Sequence, residues 1–152
     1  MVKTYINWDD FHKHCDIVAS KLQDRNFNYI VALSRGGVVP ARIIDEHLNV
    51  KHFLVFGLKL FNGMERSNNV EITQALPNHV DFDRHDKILI VDDISDKGTT
   101  LKYAYSHIFK ESGGAHLTTA CPYYKPHTEY KPHFYAKEYR DDEWLVFPFE
   151  RE

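Results

Sequence analysis

Short apolar runs separated by polar loops dominate the pattern of this chain. The segments YIVAL at 29–33, HFLVFGLKL at 52–60 and KILIV at 87–91 are continuous apolar runs of strand length. Such runs are typical of strands that are covered on both faces, as in a parallel sheet. The run AHLTTACPYY at 115–124 predicts another strand.

Segments with helical periodicity lie between these strands. The first predicted helix covers residues 8–24 and is capped by Asn7. A second begins near Pro40, which suits a first helical turn, and runs to about Leu48. A third runs from about Thr99 to Ser112 and ends at Gly113-Gly114. The side chains predicted to face the core are Trp8, Phe11, Cys15, Val18 and Leu22 in the first helix and Leu101, Ala104, Tyr105, Ile108 and Phe109 in the third.

Alternation of strands and helices predicts an α/β fold with a central, mostly parallel sheet flanked by helices. The length of 152 residues fits one compact domain, residues 1–152. In such sheets ligands bind beyond the carboxyl ends of the strands, so the polar loops at 34–37 and 92–100 are expected to meet in one crevice. The tail, 125–152, is rich in proline and aromatic residues and predicts irregular structure or short strands.

Composition and charge narrow the function classes. A net charge of -3 argues against a nucleic-acid partner. The 2 cysteines, Cys15 and Cys121, lie far apart and predict no disulfide framework. The chain starts without an apolar signal core and has no stretch of bilayer length, so no membrane span and a cytoplasmic location are expected. The 10 histidines show no spacing typical of a transition-metal site.

The loop VDDISDKGTT carries the most specific chemical signal. Asp92 and Asp93 end a buried strand, where repulsion and desolvation call for polyol hydroxyls or a divalent cation. Gly98, Thr99 and Thr100 then open a helix, and free N–H groups with two hydroxyls favour an anion there. A ribose 5-phosphate satisfies both ends of the loop.

The string ILIVDDISDKGTTL resembles the motif with which type I phosphoribosyltransferases bind phosphoribosyl pyrophosphate (PRPP). The resemblance implies the type I fold, with a small hood contributed mainly by 125–152. It implies that Asp92 and Asp93 engage the ribose hydroxyls and Mg²⁺. It also implies a 5-phosphate loop, formed by Asp96, Lys97, Gly98, Thr99 and Thr100. Lys97 stands where many members carry threonine.

A second loop, Ser34-Arg35-Gly36-Gly37, is compatible with phosphate binding. A glycine pair lets the backbone approach a ligand closely, and arginine suits a phosphate fork. By itself the string also fits a tight turn with a surface arginine. In purine members of the family the same string is the pyrophosphate loop, often with a cis peptide, which implies that Arg35 and Gly36 contact pyrophosphate.

The tail offers candidates for base recognition. A lysine such as Lys125 can hydrogen-bond a purine 6-oxo group, and a tryptophan such as Trp144 can stack on a base. The alternatives are a solvated lysine and a core tryptophan. Together these residues resemble the small xanthine-guanine phosphoribosyltransferases. That resemblance implies base contacts from Lys125 and Trp144, and from the backbone near Leu145 and Val146.

The implied reaction transfers ribose 5-phosphate from PRPP to N9 of a 6-oxopurine (xanthine, guanine or hypoxanthine), releasing pyrophosphate in purine salvage. Mg²⁺ and Arg35 are expected to stabilise the leaving group, and Asp96 to handle the purine N7 proton. Family members form homodimers or homotetramers, so a homo-oligomer is expected.

The segment 61–69 departs from the family. Leu60-Phe61 stands where a Ser-Tyr pair is usual, and Arg66 is the substitute phosphate contact in a predicted closing loop. Two alternatives stay open: a phosphoribosyltransferase for adenine or a pyrimidine, and a PRPP-sensing module without catalysis.

Overall fold

Strands and helices alternate along the chain around one central sheet. The computed structural model describes residues 1–60 and 70–151. The helices are α1 (Trp8–Leu22), α2 (Val38–Leu48) and α3 (Thr99–Glu111). The strands are β1 (Val2–Tyr5), β2 (Tyr29–Ser34), β3 (His52–Leu60), β4 (Val70–Gln74), β5 (Lys87–Val91), β6 (Ile94–Ser95), β7 (His116–Ala120), β8 (Tyr123–Tyr124), β9 (Lys137–Glu138) and β10 (Glu143–Val146).

The central sheet has the order β4-β3-β2-β5-β7. Four of its strands are parallel, and β4 adds an antiparallel edge beside β3. Side chains of β2 alternate between the faces: Ile30 and Ala32 belong to one apolar cluster, Val31 and Leu33 to the other. The mostly parallel sheet predicted from the apolar runs is therefore confirmed, and burial on both faces explains why those runs are continuous.

Helices cover both faces of this sheet. α1 and α2 pack together on one face, and the buried side chains of α3 join the cluster on the other. Asn7 caps α1 as predicted, since its Oδ1 accepts a hydrogen bond of 2.8 Å from the N–H of Asp10. Gly113 and Gly114 adopt positive φ, as expected for a helix end.

Some predicted boundaries and core positions are wrong. α1 ends at Leu22, before the positive φ of Asp24 stops helical geometry. Trp8 is 51% exposed, because it lies in the first turn of α1 with its ring against the edge of Phe11. Phe109 is 47% exposed, because the sheet covers only a narrow stripe of α3.

The predicted strand 115–124 is divided in two. β7 stays in the central sheet, and β8 joins a separate sheet of order β6-β8-β9. The division falls at Cys121-Pro122, where proline has no N–H to donate to a strand. β10 pairs in parallel with β1, so the tail and the first strand build a layer together. No helix within 1–60 and 70–151 has the length and apolarity that crossing a membrane requires.

Candidate active site

Two loops meet where neighbouring parallel strands end. β2 runs into the loop 35–37 and β5 into the loop that begins at Asp92. The approach is close: a Cβ atom on Gly36 would lie 2.1 Å from Oδ2 of Asp93, and one on Gly37 would lie 3.0 Å from Cα of Asp92. Only glycine at these positions lets the loops approach this closely, and they form one crevice.

Asp92 and Asp93 lie at the base of this crevice. The N–H of Asp93 donates to Oδ1 of Asp92 at 2.8 Å, and the N–H of Ile94 donates to Oδ1 of Asp93 at 2.8 Å. Burial raises the pKa of Asp92 well above its ordinary value, and the charge of Asp93 adds to this effect. Burial also raises the pKa of Asp93 to about 6. A cation or ribose hydroxyls would offset the cost of two ionised carboxylates here.

The two carboxylates fit a magnesium ion that arrives with a phosphorylated substrate. Mg²⁺ usually keeps several waters and binds through one or two carboxylates plus substrate phosphates. A cage made by protein alone is not expected here, because the described part of the chain holds no cluster of three or more His, Cys, Asp or Glu side chains arranged for a metal. Asp92 and Asp93 are the residues that would hold it.

The loop from Asp96 to Thr100 forms the entry to α3. Gly98, at φ 88°, precedes the helix, and a Cβ there would lie 2.4 Å from Oγ1 of Thr128 and 2.6 Å from the N of Tyr130. Glycine is therefore required by both conformation and space. The loop lines a cavity of about 440 Å³ that Asp92, Lys97, Thr99 and Thr100 share with Trp144. Hydroxyls and a helix N-terminus suit a phosphate at this place.

A larger cavity, of about 850 Å³, adjoins the first. Arg35, Gly36 and Asp93 border it on the loop side, and Trp144 and Val146 border it on the β10 side. The Ser34–Arg35 peptide bond is cis, as the family resemblance implied. Lys3 and Lys59 add cationic groups to this lining, which sequence patterns did not single out. The cavity therefore combines positive charge with an aromatic face.

Lys125 is buried beside the crevice. It is 2% exposed, and its Nζ donates to the carbonyl of Glu143 and lies 3.5 Å from Oδ2 of Asp96. The solvated position that is usual for lysine is therefore wrong here. A lysine Nζ carries three protons, so a donor remains for a ligand oxygen after these contacts.

Trp144 is 53% exposed and borders both cavities, so the alternative of a core tryptophan is also wrong. Leu145 and Val146 are buried in β10. The carbonyl of Val146 accepts a hydrogen bond from the N–H of Ile6 at 3.0 Å. One of its two acceptor directions is therefore used by the fold.

His127 is a site residue that sequence reasoning missed. Its Nε2 lies 2.6 Å from Oδ1 of Asp96, and its Nδ1 lies 2.9 Å from Oδ1 of Asp141. The three side chains come from separate segments, and no local spacing signals their meeting. Arg66, Phe61 and the rest of the predicted closing loop 61–69 lie outside the described residues, so their predicted roles stay predictions.

Comparisons with known proteins agree with this geometry. The family profile described as phosphoribosyl transferase domain matches residues 2–152. Xanthine phosphoribosyltransferase 1 of Saccharomyces cerevisiae is 30% identical over 99% of this chain and 90% of that protein. The xanthine-guanine phosphoribosyltransferase of Desulfotalea psychrophila is 30% identical over 99% of this chain and 88% of that protein.

Among solved structures, a purine phosphoribosyltransferase from Pyrococcus horikoshii superposes with a TM-score of 0.86 at 29% identity. The match covers 100% of this chain and 97% of that one. The likeness extends over the central sheet and the tail, and it includes the segments that carry both loops of the crevice. By its sequence match and its fold, this chain belongs to the phosphoribosyl transferase domain family.

Proposed function

We propose that this chain is a purine phosphoribosyltransferase that transfers ribose 5-phosphate from PRPP to N9 of a 6-oxopurine and releases pyrophosphate. The observation that carries the choice of base is the buried Lys125, whose Nζ lies 3.5 Å from Asp96 and close to the crevice. The Glu143 carbonyl and Asp96 offset the burial of this ammonium group, and one of its three protons is left for a 6-oxo oxygen, a partner that adenine lacks. The names of the relatives, xanthine and xanthine-guanine phosphoribosyltransferase, support the same class of base.

Each residue of the crevice takes one part of the reaction. Asp92 and Asp93 hold the ribose hydroxyls, and their charge stabilises the oxocarbenium-like sugar in the transition state. The loop from Asp96 to Thr100 holds the 5-phosphate through N–H groups and hydroxyls at the start of α3. Arg35, with Ser34, Gly36 and Gly37, receives the pyrophosphate. Bound Mg²⁺ would supply charge neutralisation for the leaving group.

Base binding uses the other side of the crevice. Trp144 offers a stacking surface that borders both cavities. Lys125 donates to the 6-oxo oxygen, and the backbone near Leu145 and Val146 reads the substituent at position 2. Asp96 accepts the N7 proton as N9 attacks the anomeric carbon. We also propose that the protein works in the cytoplasm as a homodimer or homotetramer, in keeping with the family resemblance.

The first experiment measures pyrophosphate release from PRPP and Mg²⁺ with xanthine, guanine, hypoxanthine, adenine and orotate in parallel. Turnover confined to the 6-oxopurines supports the proposal. Turnover with adenine or orotate alone would keep the PRPP site and reject the role of Lys125. PRPP binding without turnover on any base would favour a sensing module.

A lysine variant sharpens this experiment. Lys125→Met keeps most of the apolar stem and removes the donor, so kcat/KM for the purine is expected to fall by roughly 10- to 100-fold, the cost of one buried hydrogen bond. PRPP affinity should stay within about twofold, because Lys125 reaches the proposed 5-phosphate loop only through its 3.5 Å contact with Asp96, and Thr99 and Thr100 are untouched. Lys102→Met, on the exposed side of α3, is the matched control.

A further inference from the structure

Asp96 is the first member of a short chain of side chains that leads away from the crevice. Its Oδ1 lies 2.6 Å from Nε2 of His127, and Nδ1 of the same ring lies 2.9 Å from Oδ1 of Asp141. The backbone N–H of His127 also donates to Oδ1 of Asp141 at 3.1 Å, which anchors the residue that carries the ring. The side chain of Asp141 is 50% exposed, so the chain ends at solvent.

This arrangement requires one proton more than a neutral imidazole carries. A neutral ring has one N–H donor and one bare nitrogen, yet both nitrogens here face a carboxylate oxygen. A bare nitrogen opposite an ionised carboxylate would place two lone pairs against each other. The ring must therefore be doubly protonated, or the facing carboxylate must carry the proton.

The charged groups around Asp96, His127 and Asp141 do not offer the His127 ring an alternative partner. Lys125 approaches the other oxygen of Asp96, Oδ2, at 3.5 Å. Arg140 turns to Asp142 at 3.1 Å and to Glu143 at 3.9 Å, so it pairs with these acids. Glu129 contacts Thr99 at 3.3 Å, and Lys97 is exposed. The two carboxylates that face the His127 ring are therefore those of Asp96 and Asp141.

We propose that His127 is a positioning residue for Asp96 whose own proton release is coupled to that carboxylate, an inference that rests on the proposed function. The imidazolium donates Nε2–H to Oδ1 of Asp96, which keeps that carboxylate ionised and aims Oδ2 at the crevice. When N9 of the purine forms its bond to the anomeric carbon, the N7 proton passes to Asp96. Protonated Asp96 no longer pairs with the imidazolium, so the Nδ1 proton of His127 passes through Asp141 to water while Nε2 keeps its proton. After product release Asp96 gives its proton to water and the ring takes one back at Nδ1, which restores the starting state. One proton leaves the base and one enters water.

The test compares pH profiles of His127→Gln with the wild type, from about pH 5.5 to about pH 9, where a histidine changes charge. Glutamine keeps a polar contact to Asp96 and cannot carry the proton. We expect kcat to fall at least about tenfold at neutral pH, and the acid limb of the profile to move to higher pH. The KM for PRPP should stay within about twofold, because the 5-phosphate loop is intact.

The matched control is His47→Gln, which breaks a similar pair, His47 Nε2 to Asp16 Oδ1 at 2.7 Å, between α1 and α2. Its profile should match the wild type. A His127→Ala variant adds a rescue: free imidazole should restore turnover, because the 40% exposed ring leaves an open position. A His127→Gln profile that matches the control, or His127→Ala without rescue by imidazole, would overturn the proposal.

Nitrogen NMR of the histidine rings separates this inference from the proposed function. At about neutral pH, more of the His127 ring should carry protons on both nitrogens in the wild type than in Asp96→Asn, because the negative partner is lost. Equal protonation in the two proteins would overturn the proposed coupling of His127 to Asp96, whether or not the enzyme turns over a base. A wild type that turns over no purine, with the expected NMR difference, would reject the proposed function and leave the coupling of His127 to Asp96 in place.

Discussion

Gly36 and Asp93 are in such close contact that a single methyl group could not fit between them. A Cβ atom on Gly36 would lie 2.1 Å from Oδ2 and 2.8 Å from Cγ of Asp93. The obstructing atoms belong to the end of a side chain, which can rotate away. The contact therefore controls the position of the Asp93 carboxylate and does not contribute to the packing of the central sheet.

We expect Gly36→Ala to fold and to lose function. Displacing Asp93 should lower kcat/KM for PRPP by roughly 100-fold, since small misplacements at reacting groups are costly. The melting temperature should change by less than about 2 °C, because the clash falls on the end of one side chain and not on the backbone of the sheet. Steady-state kinetics and thermal melts measure both.

Gly37→Ala provides the contrast. Its Cβ would lie 2.5 Å from the carbonyl oxygen of Leu33 and 2.6 Å from that of Val91, both backbone atoms of the central sheet. Strain of this kind should cost about 1 to 3 kcal/mol and lower the melting temperature by several degrees. Equal melting temperatures for Gly36→Ala and Gly37→Ala would contradict the expectation that Gly36 serves activity and Gly37 serves stability.

Without magnesium, Asp93→Asn should stabilise the protein at alkaline pH. Burial raises the pKa of Asp93 to about 6, above the ordinary value of 3.8. Because the folded value is the higher one, this group contributes stability below pH 3.8 that is lost as the pH rises through about 6. Asparagine removes the ionisation and can still accept the Ile94 N–H. Melts in a chelator should show the variant above the wild type at about pH 8, with the difference closing by about pH 4.

The exposed Glu71→Gln is the control for that comparison. It should follow the wild type at both pH values. A pH-independent difference for Asp93→Asn would show that packing, and not charge, is the cause.

His133 should make the protein less stable in acid. Its Nδ1 accepts a hydrogen bond of 3.0 Å from the N–H of Thr119, which only an unprotonated nitrogen can do. Burial lowers the pKa of His133, with a smaller contribution from Arg25. A lowered folded value means that this stability is present above the ordinary pKa of 6.5 and is lost as the pH falls through the folded pKa.

His133→Asn keeps an acceptor and removes the titration. Urea unfolding at about pH 7.5 and about pH 5 should show a smaller loss of stability for this variant than for the wild type. His116→Asn, at an exposed position of β7, should retain the wild-type slope. Identical slopes in all three proteins would exclude His133 as the source.

Asn7 should stabilise α1 through its cap. Asn7→Ala removes the acceptor for the Asp10 N–H and should cost about 1 kcal/mol of unfolding free energy. Asn7→Asp keeps the acceptor and should cost much less. Chemical denaturation distinguishes the two, and an equal loss in both variants would rule out capping as the reason.

Contiguous signals made much of the fold, and the meeting of the two polar loops in one crevice, predictable from the sequence. β5, its acidic loop and α3 follow one another in sequence, so burial, loop chemistry and helix start could be read together. β4 is too short for its pattern to stand out, although Val70 and Ile72 alternate with polar residues in a period typical of a strand. Trp8 and Phe109 lie at the edge of the apolar face of their helices, where burial depends on how much of the helix the neighbouring elements cover.

Contacts between distant segments could not be predicted. The pairing of His127 with Asp96 joins residues 31 positions apart. Lys125 is buried because Glu143 offers its carbonyl, and lysine as a residue type gives no sign of that. Both contacts depend on how the tail segments are aligned in space against the rest of the protein. No local pattern in a single sequence gives that alignment.

The pairing of β1 with β10 positions Trp144, the proposed stacking residue, independently of the two loops proposed to bind phosphate. Trp144 is held opposite Lys3 by strands far apart in the chain, whereas each phosphate loop joins a strand to the helix that follows it. A long-range pairing gains its contacts only after the loop-closure entropy between its strands has been lost. Stacking by Trp144, as proposed, therefore depends on the β1–β10 pairing, which includes no residue of the two proposed phosphate loops. Under mild denaturation, discrimination between bases should fade before affinity for PRPP does.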